Sequence, residues 1–198
     1  MRTALLVALL LIAAPARPFL FEPLDPGKGV QREGETWSVR TDRYAASLER
    51  LDDAGRWAFL RAHSKAAADP FAASGGVGFV TFRFSLESLA AGTLVFDAGS
   101  CRLVTQDKTT RYPLDLPTIQ SAYGLHDKEV PPAYLTVRGS LFDGTVFLEQ
   151  GQRTEGLLVF QNVPERTRAF SVEVVLTTQD GERGGLTAAY KRPRKRAR

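Results

Sequence analysis

The 198-residue chain carries one cysteine, one methionine and two histidines, and each scarcity removes a class of chemistry. A lone Cys101 forms no internal disulfide and excludes thiol-rich metal centres and Cys-X-X-Cys redox chemistry. His63 and His126 stand far from it and from each other, so zinc-ligand spacing is missing too. No Gly-X-Ser-X-Gly elbow occurs, and no EF-hand loop. Gly75-Gly76-Val77-Gly78 resembles a phosphate loop in glycine count alone, since it leads into a strand pattern whereas phosphate cradles open a helix. Long apolar runs are missing after the first sixteen residues; nothing later approaches the roughly 20 apolar residues a membrane helix needs.

Those first sixteen residues say where the chain works. Arg2 gives a positive start, Ala4 to Ala14 are uncharged and apolar, and Ala14-Pro15-Ala16 offers small residues at the positions a signal peptidase reads. At a rise of about 1.5 Å per residue this run spans roughly 16 Å, about half a hydrocarbon core, so it suits a leader better than a stable transmembrane helix. A secreted or periplasmic bacterial protein is expected, with residues 1–16 a signal peptide cleaved near Ala16, no transmembrane helix afterwards, and no cysteine behind Ala16 to carry a lipid. The remainder is of a size for one domain with its own core.

The net charge of +4 hides an asymmetry. Lys191, Arg192, Arg194, Lys195, Arg196 and Arg198 fall in the last eight residues, and without them the body is mildly acidic. A basic nucleic-acid-binding face is therefore not expected on the globular part. The run 191–198 repels itself, contains Pro193, and reads as a disordered tail that would meet anions. At about 1 kcal/mol per basic residue near an anionic membrane, six charges would give salt-sensitive binding. The plainer reading is a solvated tail that aids solubility.

Residues 17–35, with three prolines and three glycines, read as an extended arm. From 36 to 190 a single domain is expected. Trp37 and Val39, then Tyr44, Ala46 and Leu48, alternate with polar or small residues at the period of half-buried strands, with a turn at Thr41 to Arg43. Leu51, Trp57, Leu60 and His63 recur at helical spacing behind Asp52, a plausible N-cap, which predicts a helix near 52–66, broken by Asp69-Pro70 and Ser74-Gly75-Gly76. Val80, Phe82, Phe84 and Leu86 then alternate with Thr81, Arg83, Ser85 and Glu87. Short strands follow at Leu94 to Phe96, Cys101 to Thr105, near Tyr112, Val146 to Leu148, Leu157 to Gln161, Phe170 to Leu176 and Leu186 to Tyr190. Turn residues between them, and few crossover helices, favour an antiparallel sandwich over a parallel α/β sheet. An insertion at 113–144 carries two weak helical patterns, Ile119-Ala122-Tyr123 and Tyr134-Val137-Leu141, the second behind Pro131-Pro132.

Chemistry finds little purchase. His126 beside Asp127 is the one local base-and-acid pair, and Ser121 or Ser140 would need an unseen fold to join it. Asp107, Asp115, Asp127, Glu129 and Asp143 gather around the insertion at ordinary density, so they read as solvated surface rather than a calcium site or glycosidase pair. No catalytic residue, metal ligand or cofactor is expected. Phe82, Phe84, Phe96, Phe160 and Phe170 build the core of the sandwich, while Phe79 falls on the opposite face from Phe82, exposed or covered by the arm.

The succession Val80-Thr-Phe-Arg-Phe-Ser-Leu-Glu-Ser, Leu94-Val-Phe, Cys101-Arg-Leu-Val, Gly156-Leu-Leu-Val-Phe-Gln, Val163-Pro164 and Phe170-Ser-Val-Glu-Val resembles the immunoglobulin-like domains of uncharacterised bacterial secreted proteins and lipoproteins. The resemblance spans about residues 77 to 190 and implies an immunoglobulin-like antiparallel β-sandwich, mainly β, here with a short helix before it and a partly helical insertion. It implies no catalytic residue. The chain departs from it by lacking the lipid-carrying cysteine and the disulfide spacing, and by carrying the insertion. The expected function is an exported, non-catalytic binding or assembly module of the bacterial cell envelope, meeting an envelope protein through sheet edges or the 113–144 insertion. The alternatives are an anionic-surface binder acting through the tail and a secreted hydrolase.

Cys101 shares a strand face with Leu103 and is expected to be a buried apolar thiol. A maleimide should therefore label the native protein slowly and rapidly only in denaturant; rapid native labelling, or a disulfide-linked dimer on a non-reducing gel, would contradict burial.

Overall fold

The computed structural model describes residues 21–72, 78–125, 128–161, 163–164 and 166–193. Twelve strands form two antiparallel sheets packed face to face, a mainly β sandwich with a few short helices. One sheet holds five strands in the order β10 (Arg153–Gln161), β5 (Phe79–Ser88), β4 (Tyr44–Leu51), β3 (Thr36–Arg40) and β2 (Val30–Glu33). The other holds seven. Its backbone path runs β1 (Glu22–Pro23), β12 (Arg183–Lys191), β11 (Ala169–Thr178), β6 (Leu94–Asp97) and β9 (Thr145–Leu148). Beside β6 along the same edge of β11 lies β7 (Arg102–Thr105), which pairs in turn with β8 (Thr110–Arg111).

Period-two alternation explains the main core. Val80, Phe82, Phe84 and Leu86 of β5 face Phe170, Val172, Val174 and Leu176 of β11, all buried. At one edge of the sandwich Phe142 closes the gap, its ring 4.9 Å from that of Phe96 and 5.8 Å from that of Phe84. Gly156 makes room for it, because a Cβ there would lie 3.0 Å from the Phe142 ring. Across the middle of the sandwich the Tyr44 hydroxyl of β4 accepts a hydrogen bond from Gly185 N of β12 at 2.9 Å. Gly185 sits at φ 156°, and a Cβ on it would strike the Val174 carbonyl, so a side chain is excluded twice over.

A third layer covers half of the outer face of the five-stranded sheet. Helix α1 (Asp53–His63) buries Phe59 and Leu60, the following loop buries Phe71, and the insertion adds Tyr134, Val137 and Leu141. Together they pack on Leu51, Phe79, Leu157 and Val159. This is why Leu157-Leu158-Val159-Phe160 is apolar without alternation: both faces of β10 are buried there. Phe79 is accordingly covered, not by the arm but by Phe71, whose ring lies edge-on at 5.6 Å.

Several expectations are modified. The helix does not precede the sandwich; it connects β4 to β5, because the strands ahead of it are half of the five-stranded sheet. Asp52 caps it as expected, accepting from Gly55 N at 2.7 Å, but it ends at His63, where the Ser64 hydroxyl and amide both turn back to the Leu60 carbonyl. Its buried face is Arg56, Phe59 and Leu60; Leu51 belongs to β4, Trp57 is half-buried and His63 is exposed. The arm is not merely extended, since residues 22–23 pair with β12 and 30–33 with β3. Both helical patterns of the insertion exist, as α2 (Leu116–Gly124) and the single turn α3 (Pro132–Thr136). The signal peptide assigned to 1–16 lies outside the described residues.

One ion pair ties helix α1 to the loop that follows it. Arg56 is buried on the inner face of α1, and its Nε and Nη2 donate to Asp69 Oδ2 at 2.9 and 2.7 Å, while Asp69 Oδ1 accepts from Phe71 N at 2.9 Å. Nη1 reaches the exposed Asp53 at 3.0 Å. Removing either partner strands a buried charge, so Arg56→Leu and Asp69→Asn should each cost about 3 kcal/mol or more in urea unfolding. The double variant should cost clearly less than their sum; strict additivity would show the two do not act as a pair.

Candidate functional site

The sequence placed its one explicit site in the basic run, and the structure describes its first two members. Lys191 is the last residue of β12, exposed and in register with Ala169 and Glu22. Arg192 is half-buried, its amide donating to the Arg168 carbonyl at 2.7 Å and its guanidinium 5.2 Å from the centre of the Phe21 ring. Neither belongs to a disordered tail: pairing with β1 and β11 and packing on Phe21 extend order to here. Arg194, Lys195, Arg196 and Arg198 lie outside the described residues.

Of the residues considered for catalysis, the structure describes Ser121, Ser140 and His63. Ser121 is exposed on α2, whereas Ser140 is buried in the turn after α3. His63 stacks on Phe59 with ring centres 4.0 Å apart, bonds the Phe59 carbonyl through Nδ1 at 2.9 Å and faces Glu155 at 3.6 Å. His126 and Asp127 lie outside the described residues. The acids of the insertion have local structural partners. Asp115 and Asp143 accept from the amides of Thr118 and Leu116 at the start of α2, and Asp143 also pairs with Arg138 at 3.0 Å. Asp107 takes the Thr105 hydroxyl, which holds its carboxyl below the usual range. Cys101 is fully buried before β7, and burial pushes its thiol up to about 12, so it stays a neutral thiol at neutral pH.

Sheet edges and open faces remain. The free side of β10 is occupied by the insertion, through a bridge between Pro113 and Phe160 and another between Leu141 and Leu157. The opposite edge strand, β2, exposes Gln31, Arg32 and Glu33, a charged edge of the kind that discourages further pairing. The seven-stranded sheet ends in β1, β8 and β9, and β9 is different: Thr145-Val-Phe-Leu148 contains no charge, no proline and no glycine. Val146 and Leu148 point inward, while Phe147 stands 64% exposed. Register aligns Phe147 with Val95 and Val95 with Thr177, so an apolar pair lies at the edge of the outer face and a polar residue follows it inward. In the sequence Val146-Phe147-Leu148 is only a short apolar run; which of the three faces water depends on pairing with β6.

Sequence reading also missed a shallow depression of 350 Å³ on the uncovered half of the five-stranded sheet. Its floor is a row of serines aligned by register, Ser38, Ser47 and Ser85, flanked by Glu87 and by Arg153, which donates to Ser85 Oγ at 3.2 Å. Each serine lies on an outward position of a predicted strand, so the signal was present, but their alignment across three strands was not. A second depression of 280 Å³ lies between the β5–β6 connection and the β11–β12 hairpin. Its polar wall is a clamp in which Arg43 bonds Asp180 at 3.0 Å and Glu182 at 2.9 Å. The Thr178 hydroxyl and then Arg43 hold the Asp180 carboxyl down at about 2.

No family model matches the chain, and neither does any curated protein. Two solved structures are distantly similar. One is the crystal structure of a "putative lipoprotein", YcdA, from Bacillus subtilis subsp. subtilis str. 168: 12% identical, TM-score 0.39, covering 76% of this chain and 37% of that one. This chain thus spans little more than a third of its length. The other, a structural genomics target designated SoR45, is 8% identical with a TM-score of 0.31, over 78% of this chain and 89% of that chain. No family is assigned. None of the described helices is long and apolar enough to cross a membrane.

Proposed function

We propose that this protein is an exported, non-catalytic binding or assembly module of the bacterial cell envelope, and that it engages a partner polypeptide by strand addition at β9. The observation that carries the reading is the edge itself. An uncharged strand with an exposed phenylalanine at its centre offers main-chain donors and acceptors to an incoming strand, and a ring against which one alternate side chain can pack. The neighbouring Val95 extends that apolar contact across the outer face. The fitting partner is an extended segment with apolar residues at alternate positions. Natural sheets charge or cover such edges, as this chain does at β2 and at β10, and among the described residues β9 carries neither device.

The export half of the reading rests on the leader at residues 1–16. The non-catalytic half is supported by the burial of Ser140 and of Cys101. A photocrosslinking residue placed at 147 and activated in intact cells should give a discrete adduct in the envelope fraction, while the same residue at Thr187, exposed on the outer face of β12, should give none. Equal patterns from the two positions, or no adduct from 147, would refute the assignment to β9.

A further inference from the structure

Hydrogen bonding between β6 and β11 fixes which groups of β9 are free. Gln179 N donates to the Thr93 carbonyl at 3.0 Å, in line with the register that pairs Thr178 with Leu94 and Thr177 with Val95. Main-chain groups of an antiparallel strand point alternately to its two neighbours, so Thr93 and Val95 bond towards β11, and Leu94 and Phe96 towards β9. Leu94 and Phe96 align with Leu148 and Val146. The N–H and C=O groups of Thr145 and Phe147 are therefore directed to the open side of β9. The residue with the exposed ring is also one that meets an incoming strand main chain to main chain.

The same alternation sets the charges around that edge. On the outer face Asp97 lies beside Thr145 and Val95 beside Phe147, and the Thr93 hydroxyl bonds Glu149 Oε1 at 2.9 Å. Asp97, Thr145, Phe147 and Glu149 are all exposed. An apolar centre is thus flanked by a carboxylate on either side: Glu149 two residues along the strand, about 7 Å away, and Asp97 diagonally across. Among the described residues neither carboxylate has a cation within ion-pair distance. The other charges near this edge are already matched. Asp143 pairs with Arg138 at 3.0 Å and Glu173 with Arg102 at 2.6 Å, and past Thr93 the acids Asp180 and Glu182 are held by Arg43. Arg183, in the row of Phe147 and Val95, stands beyond Thr177, three strands and roughly 14 Å from the edge.

We propose that the partner segment at β9 is cationic at both ends: a lysine or arginine, three apolar residues, and a second lysine or arginine. Its central residue lies opposite Phe147. Its cations stand opposite Glu149 and opposite Thr145, whose short side chain lets a long one reach across to Asp97. The two apolar residues between continue the inner face beside Val146 and Leu148. This rests on the reading of β9 as an edge for strand addition and names what that edge selects. The same charges oppose pairing with a second copy of this chain. Antiparallel self-pairing centred on Phe147 sets Glu149 opposite Thr145 of the other copy, next to its Asp97; centred on Val146, it sets Glu149 opposite Asp143. Like charges so placed destabilise a strand pair, whereas opposite charges support it.

Fluorescence anisotropy of labelled, end-capped peptides titrated with the full chain at low ionic strength tests this. The probe is Gly-Ser-Lys-Val-Leu-Val-Lys-Ser-Gly, and its comparison carries glutamine in place of both lysines. The lysine peptide should bind about fivefold more tightly than the glutamine peptide, and the variant D97N/E149Q should bind the two alike. Added salt should narrow the difference in the parent. Phe147→Pro, which removes the ring and a main-chain donor on the open side while leaving the bonds to β6, should bind neither peptide. Equal binding of the two peptides by the parent, a preference that survives in D97N/E149Q, no binding of the lysine peptide, or a dimer of the chain that Phe147→Pro dissolves would each overturn the cationic partner. Binding of both peptides unaltered by Phe147→Pro would overturn strand addition at β9 itself, and the proposal with it.

Discussion

The burial of Tyr190 holds the sandwich together. Its ring, fully enclosed on β12, stacks on Phe170 of its own sheet at 5.1 Å and reaches Trp37 at 6.0 Å and Phe82 at 5.8 Å in the facing sheet. The Arg50 guanidinium lies 5.6 Å from the ring centre. Truncating a large core aromatic costs on the order of 3–5 kcal/mol, a large share of the 5–15 kcal/mol that holds an ordinary domain folded. Burial also pushes the phenol well above its usual range, so no charge appears in the core at physiological pH. The same residue fixes the ends of the chain, since Pro23 pairs with it and Phe21 packs on its stacking partner.

From that seam the rest follows in layers. Sheet alternation fills the space between the two sheets, but half of the five-stranded sheet is apolar outward as well and must be covered. Helix α1, its loop and the insertion do so, fastened by the buried Arg56 and Asp69. The insertion is thereby committed largely to packing, with its apolar Tyr134, Val137 and Leu141 spent on β10, and among the described strands an uncharged edge is left at β9. The proposed function rests on what the packing leaves over, the edge at β9.

Much of this was legible in the sequence. Alternation marked β5 and β11 and their inward aromatics, Asp52 marked the start of α1, and Cys101 was correctly read as buried. What failed depended on partners distant in the chain. Two residues at 22–23 carry no strand signal of their own and become a strand because β12 lies beside them. Nothing in the sequence marks Arg56 as buried; its place depends on Asp69, thirteen residues on. The exposure of Phe147 likewise required the register between β6 and β9.

The central claim is that Tyr190 makes one cooperative unit of two sheets and of the place where the chain enters and leaves them. Amide hydrogen exchange on Tyr190→Leu tests it most directly. Protection at Trp37 and Phe82 in one sheet, at Val172 and Ala188 in the other, and at Leu24 beside β12 should fall by the same factor, because opening at any of them would require opening all. Protection lost in β11 and β12 while β3 and β5 exchange as in the parent would contradict it.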